Sequence, residues 1–337
     1  MKTKINVGLV GVGRLGKSYA HFLKHHVPNA NLIAVADLIP ERASLCAEEL
    51  EIAKWYDNHH DLNHDPQINA VVVCATTINH KEIIIDAARA NKIVFSEKPL
   101  TLNLADAREI RDEVERAGIY FQMGFMRRFD KGFAAAKRKI EQGVIGTPVV
   151  FRGSSRDPFR PSLDYLRPEN SGGQILDMAV HDFDIAQWYM GDITTIFAIG
   201  GVLAYPEIQQ VNDTDNVVMA MTFSSGALGE IDISRNGVYG YDIRAEVLGT
   251  KGTLQAGYLR ETPVLVMTKE GVTHDVVPYF PERFREAYIA QLNDFVVNLV
   301  AKKDPPITIS DGIKALQVAE AATRSLQLHQ VTTVADF

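Results

Sequence analysis

Asp177, His181 and Asp184 stand in an otherwise apolar run from Gly172 to Ile185. Side chains three and four positions apart share one face of a helix, so a helix here would project both acids and the imidazole together. Leu176, Val180, Phe183 and Trp188 would supply its core face. An acid one turn from a histidine can orient a base or tune its charge. The same spacing also fits a helix-capping pair beside an exposed histidine, so the rest of the chain has to discriminate.

Elements that could position such a group begin at the N-terminus. The β-rich run Ile5 to Val10 ends in Gly11-Val12-Gly13-Arg14-Leu15-Gly16, and a helix-like segment follows from Lys17 to His25. Gly11 permits a tight turn, Gly13 lets backbone approach a pyrophosphate, and Gly16 lets the helix pack on its strand, with the helix N-terminus toward the phosphates. A second strand, Leu32 to Ala36, ends in Asp37, which is 37 − 16 = 21 residues past the last glycine. An acid is expected there to bind the adenosine ribose diol. Asp37 would repel a 2′-phosphate and Leu38 offers no cation, so NAD is favoured over NADP, with Arg42 the one nearby residue that argues otherwise.

Ala70 to Ala75 is a continuous apolar strand of the kind buried on both faces of a parallel sheet. It leads into Thr76-Thr77-Ile78-Asn79-His80 and then a helix to Ala90. Loops at such carboxyl ends line the ligand crevice, making Thr76 and Asn79 candidate cofactor contacts and His80 a helix opener. The strand Ile93 to Ser96 ends in Glu97-Lys98-Pro99, which brings a lysine and an acid to the same edge, and Tyr120 to Gly124 is one more strand. Alternating strands and helices up to residue 126 predict a doubly wound parallel sheet. The segment Asp57 to Asp65 is rich in possible metal ligands but lacks the spacing that aims them at one point, and it reads as a solvated loop and helix start.

From residue 127 the pattern changes. A helix ends near Gly143, a strand runs from Pro148 to about Ser155, and a polar loop reaches Asn170. Strands then dominate: Thr194 to Leu203, Asn216 to Phe223, Ala227 to Ser234, Asp242 to Leu248, Thr253 to Gln255 and Val264 to Thr268. This predicts an α+β domain for substrate binding and oligomerisation, residues 127–337, with an open, mostly antiparallel sheet and a C-terminal helix able to pack back on the first domain. One sheet face would be covered by helices and the other left to a second subunit. Arg283 to Ala301 and Ser310 to His329 are amphipathic helices, the latter with Ser310 or Asp311 as N-cap.

Composition narrows the classes. The 337 residues carry 35 basic and 42 acidic side chains, net −7, without a long basic run, which argues against nucleic acid as a partner. Two cysteines exclude a disulfide framework and fit a reducing cytoplasm. No run approaches the ~18 apolar residues of a membrane span.

The glycine loop, the Glu97-Lys98-Pro99 strand end and the Asp177/His181 segment, in this order, resemble the glucose-fructose oxidoreductase and inositol dehydrogenase family, nearly end to end. Gly124 to Asp130 (GFMRRFD), Asp184 and Tyr239-Gly240-Tyr241-Asp242 are similar to the inositol 2-dehydrogenase branch; segments 156–160 and 278–283 depart from it. The resemblance implies a Rossmann domain, an open-faced sheet domain, a homotetramer, and a lysine, an aspartate and a histidine at the active site, which map onto Lys98, Asp177 and His181. It implies NAD-dependent oxidation of a cyclic polyol, myo-inositol to 2-keto-myo-inositol, with scyllo-inositol or an aldose as alternative substrates. A non-catalytic NAD-binding sensor is the alternative of another class. In the oxidation His181 would take the hydroxyl proton, Lys98 would hydrogen-bond the same oxygen, and Asp177 would orient or tune the pair. Arg128, Asp184 and Tyr239 would contact the ring hydroxyls, and no metal is required.

Overall fold

The computed structural model describes residues 4–337. The chain divides into two compact units, one of Met1–Met126 with Glu286–Leu316, the other of Arg127–Arg285 with Gln317–Phe337.

The first unit is built on six parallel strands: β1 (Ile5–Val10), β2 (Ala30–Ala36), β3 (Lys54–Tyr56), β4 (Ala70–Val73), β5 (Ile93–Glu97) and β6 (Phe121–Gly124). Their order, β3-β2-β1-β4-β5-β6, reverses between β1 and β4, and this switch point puts the carboxyl ends of those two strands side by side. All four residues of β4 are buried, as its unbroken apolar run requires. Strand β3 gives almost no periodic signal, being three residues long. It is held from outside itself, where Lys54 Nζ and Tyr56 OH both donate to Asp65 Oδ2, at 2.5 and 2.9 Å.

The second unit carries a seven-stranded sheet of β7 (Pro148–Arg156), β8 (Ile193–Gly201), β9 (Asn216–Phe223), β10 (Leu228–Ser234), β11 (Asp242–Gly249), β12 (Gly252–Ala256) and β15 (Thr332–Thr333). The order is β12-β11-β7-β10-β9-β8-β15, antiparallel apart from the β7–β10 pair. Alternation along β9 buries Val217, Met219, Met221 and Phe223 and leaves Val218, Ala220 and Thr222 on the open face. The run near Val264 does not join this sheet. Its strand, β13 (Leu265–Thr268), pairs with β14 (Gly271–His274) as a separate, fully exposed ribbon.

Helix Ile309–Leu328 starts one residue before Ser310 and two before Asp311, the expected caps. Thr308 takes that role: its Oγ1 accepts from Asp311 N while Asp311 Oδ2 accepts from Thr308 N, a reciprocal box that satisfies two donors at the helix start.

Candidate functional site

In the first unit the glycine loop closes β1 onto the helix Arg14–His25. Gly11 has φ +91°, and a Cβ there would lie 2.6 Å from the Ala75 backbone, so the turn between the β1 and β4 ends admits only glycine. A Cβ on Gly16 would sit 2.0 Å from Gly11 O, which fixes the close helix–strand packing. Gly13 differs: a Cβ there would meet nothing within 4 Å. Packing of the protein on itself therefore does not demand glycine there. The helix it caps carries no side-chain cap and no acid in its first turn, leaving the N-terminal amides available to an anion. Arg14 is exposed and Leu15 half-buried beside it.

Asp37 stands just past β2, where Val12 N donates to Oδ2 and Ile39 N to Oδ1, both at 2.9 Å. Those amides aim the carboxylate and leave each oxygen a further lone pair for a ribose hydroxyl. Asn79 Nδ2 donates to Thr76 Oγ1 at 2.9 Å, ordering the loop after β4. These residues fit a dinucleotide: an open backbone cradle, an uncapped helix N-terminus and a held carboxylate.

At the end of β5 the lysine and the acid part company. Lys98 is half-buried, whereas Glu97 is only 4% exposed and turned into the core. Tyr19 OH donates to Glu97 Oε1, Gln291 Nε2 donates to both, and Lys98 N donates to Glu97 Oε2 at 3.1 Å. Burial pushes the Glu97 carboxyl up, against the hydrogen bonds and Lys98 that favour its anion. Its side chain therefore anchors the strand end. His80 does more than open a helix. It is buried, with Nδ1 2.9 Å from Pro99 O and Nε2 3.1 Å from Ala75 O, so it ties the β4 loop to the segment carrying Lys98.

In the second unit the run that holds Asp177 begins as a π-turn, Ile175–Ala179, and continues as the α-helix Val180–Met190. Such turns alter the phase of the side chains that follow. The two acids are accordingly claimed by different arginines. Asp177 Oδ2 accepts from Arg235 Nη2 at 3.0 Å and Oδ1 from Tyr165 OH at 2.9 Å. Arg128 grips Asp184 bidentately, Nε and Nη2 to the carboxylate at 3.1 and 2.6 Å, and its guanidinium lies 5.5 Å from the Trp188 ring centroid. His181 is 7% exposed, which removes the reading as an exposed histidine.

Arg235 is fully buried and was not signalled by sequence, standing 58 residues from Asp177. Burial disfavours its charge, but Asp177, Asp213 and Asp157 hold the guanidinium above its ordinary value. Asp213 Oδ1 in turn accepts from Gln174 N at 2.8 Å, fastening the π-turn from its start. Also unforeseen is Asp182, whose carboxylate takes Arg127 Nη1 at 2.7 Å and Ser155 Oγ at 2.7 and 2.8 Å, pinning the helix to the covered face of β7.

Tyr239 lies elsewhere. Its OH donates to Asp242 Oδ2 at 2.6 Å and accepts from Arg156 Nη1 at 3.0 Å, while Arg156 also binds Asp232 and Asp242 also binds Arg244. In the register Asp242 faces Arg156 and Arg244 faces Ser154, so this network occupies the sheet face opposite Ser155. Tyr239 is thus hydrogen-bonded to side chains of the open face. For Arg128 and Asp184, mutual satisfaction of two charged groups supports a framework role.

Two family models match successive parts of the chain. One described as an oxidoreductase family NAD-binding Rossmann fold matches residues 5–125, and one described as an oxidoreductase family C-terminal alpha/beta domain matches 137–334. The chain is 42% identical over 325 residues to a myo-inositol 2-dehydrogenase of Thermotoga maritima, covering 96% of each. It is 38% identical to a scyllo-inositol 2-dehydrogenase (NAD(+)) of Bacillus subtilis, covering 97% of this chain and 95% of that one. Among solved structures, scyllo-inositol dehydrogenase of Lactobacillus casei with bound NAD(H) and scyllo-inositol superposes with a TM-score of 0.93 at 30% identity, over 99% of this chain and 100% of that one. With both domain models matched in order and relatives aligned along nearly the whole length, the chain belongs to the glucose-fructose oxidoreductase and inositol dehydrogenase (Gfo/Idh/MocA) family of oxidoreductases.

Proposed function

We propose that this protein is an NAD-dependent dehydrogenase that oxidises a secondary hydroxyl of inositol, myo-inositol to the 2-keto product, with His181 taking the hydroxyl proton. The observation that carries the reading is the near-full-length identity to inositol 2-dehydrogenases of both isomer preferences. Gly11, Gly13, Arg14, Leu15, Gly16, Asp37, Thr76 and Asn79 are the residues assigned to hold NAD+. Bound NAD+ supplies the two-electron acceptor. The rest is done by the chain. Asp177, fixed by Arg235 and Tyr165, stands one turn before His181 and sets its orientation and field. Lys98, on the segment braced by His80 and Glu97, is assigned as the donor that stabilises charge on the reacting oxygen. A buried base is shielded from bulk water, which strengthens such electrostatic effects.

NADH formation from myo-inositol, scyllo-inositol and a panel of aldoses tests this directly. Turnover should be fastest with an inositol and NAD+, and slower by tenfold or more with NADP+, since a 2′-phosphate beside the held Asp37 carboxylate costs at least ~1.4 kcal/mol. Asp37→Ser should narrow that gap. Absence of NADH with every polyol, alongside normal NAD+ binding, would favour the non-catalytic sensor.

We place the activity in inositol catabolism in the cytoplasm; the two free cysteines, Cys46 and Cys74, suit a reducing compartment. Among the described residues no helix is long and apolar enough to cross a membrane. Assembly is assigned to the open sheet face, where Ile199 and Val218 stand opposite each other at 52% and 51% exposure. Apolar side chains paired on an uncovered face suit a self-complementary contact within a homotetramer. Sedimentation should give four chains per particle, and Val218→Lys should shift it to smaller species; a wild-type monomer at micromolar concentration would refute the assembly.

A further inference from the structure

The ligand-rich segment 57–65, whose own spacing aims nothing at one point, acquires its missing partner from another helix. Asn58 caps the helix His59–His64, its Oδ1 accepting from Asp61 N at 2.8 Å. This puts His60 and His64 four residues apart on one face, their ring centroids 4.2 Å apart. Opposite them, on helix His80–Arg89, is Asp86. Its Oδ1 lies 3.1 Å from His60 Nδ1 and 3.3 Å from His64 Nε2, and the three atoms all fall within 4.8 Å of one another.

We propose that His60, His64 and Asp86 form a surface binding site for a divalent transition-metal ion of the Zn2+ type, separate from the assigned catalytic residues. A tetrahedral Zn2+ with ligands at about 2.0–2.1 Å has ligand–ligand edges of roughly 3.3 Å, so the observed separations from Asp86 Oδ1 already match two edges of the polyhedron. Imidazole nitrogens with one carboxylate suit Zn2+ and its neighbours in the series, whereas Ca2+ and Mg2+ demand oxygen ligands.

The carboxylate is also held from behind. Asn63, fully buried, donates through Nδ2 to Asp86 Oδ2 at 2.8 Å and to Ile83 O at 3.2 Å, fixing the orientation of Oδ1 toward the histidines. Anchoring of a ligand by an outer partner is what separates a built site from a chance cluster. The two histidines are exposed, so an ion reaches them without opening the fold. Three protein ligands leave the remaining positions to water. An ion here would clamp helix His59–His64 to helix His80–Arg89.

The test is calorimetric titration of the chelator-treated whole protein with Zn2+, repeated with Mg2+. One Zn2+ should bind per chain with a dissociation constant below about 100 µM, Mg2+ should not, and the melting temperature should rise with Zn2+ by mass action. His64→Ala and Asp86→Asn should each weaken binding by about tenfold or more while NAD+ affinity stays unchanged. No saturable Zn2+ binding in wild type would overturn the proposal. So would binding that persists in both variants, as it would if the ion sat instead at the neighbouring rings of His21, His25 and His26.

Discussion

Replacing His181 with alanine should abolish most of kcat for inositol oxidation while leaving NAD+ affinity near that of wild type. The expectation follows from the division of labour among the residues. His181 belongs to the second unit, whereas the glycine loop and Asp37 belong to the first, so its loss removes no group assigned to the cofactor. General-base catalysis contributes typically 10²–10⁴-fold, and its loss should appear in kcat and kcat/KM alike, because the proton moves in the transition state. The wild-type rate of oxidation should rise with pH as the base loses its proton, and that limb should vanish in the variant. Lys98→Ala should cost ~10²-fold or more in turnover, by removing a donor aimed at developing negative charge. Asp177→Asn should have a smaller effect than removal of an isolated anion would suggest, because Arg235 already offsets part of the carboxylate's field. A His181→Ala enzyme with almost normal kcat and an unaltered pH profile would reject the assignment and leave Lys98 as the base.

The second large effect concerns Arg235. Arg235→Met should destabilise the second unit by about 3–5 kcal/mol, the range seen when one partner of a buried ion pair is removed. The side chain is fully buried, and its loss leaves Asp177 and Asp213 facing one another without a cation, held only by their neutral hydrogen-bond donors. Burial already raises the Asp213 carboxyl and Asp177 raises it further, while Gln174 N, Thr214 N and Arg235 oppose them. Removing the cation strengthens the upward push. Part of the loss should therefore be recovered at low pH, where protonation relieves the repulsion. Urea unfolding measures the effect, and a cycle with Asp177→Asn isolates the pair: the double variant should be more stable than the sum of single losses allows. A loss under ~1 kcal/mol would mean that the pair is solvated and that Asp177 is positioned by Tyr165 alone. Activity should fall as well, since the π-turn carrying Asp177 loses its tether.

Much of the fold could be read directly because its determinants are local. A tight turn at Gly11 and close packing at Gly16 need glycine at fixed offsets, so the loop announces itself in six consecutive residues. The apolar run of β4 and the alternation of β9 report burial through period alone, and together with the strand–helix order they point to a doubly wound sheet followed by a mostly antiparallel one. Asp37 could be found for the same reason, since its distance from the glycines is set by one strand and one helix.

Pairing across the chain could not be read this way. Nothing in the neighbourhood of Asp177 names Arg235 or Tyr165 as its partners, nor does the segment around Glu97 name Tyr19 and Gln291. Buried charges are satisfied by whichever complementary group the packing delivers, and that group carries no periodic mark. The π-turn and the strand register decided more: a change of helical phase assigned Asp177 and Asp184 to different arginines, and a single alternation put Tyr239 with the open face. The same holds for His60 and His64, whose local spacing looked aimless until helix packing brought Asp86 across, 22 residues beyond His64. Sequence determined the kinds of chemistry this chain can hold; the tertiary structure decided which side chains meet, because meeting depends on packing between elements and periodicity speaks only of each element alone.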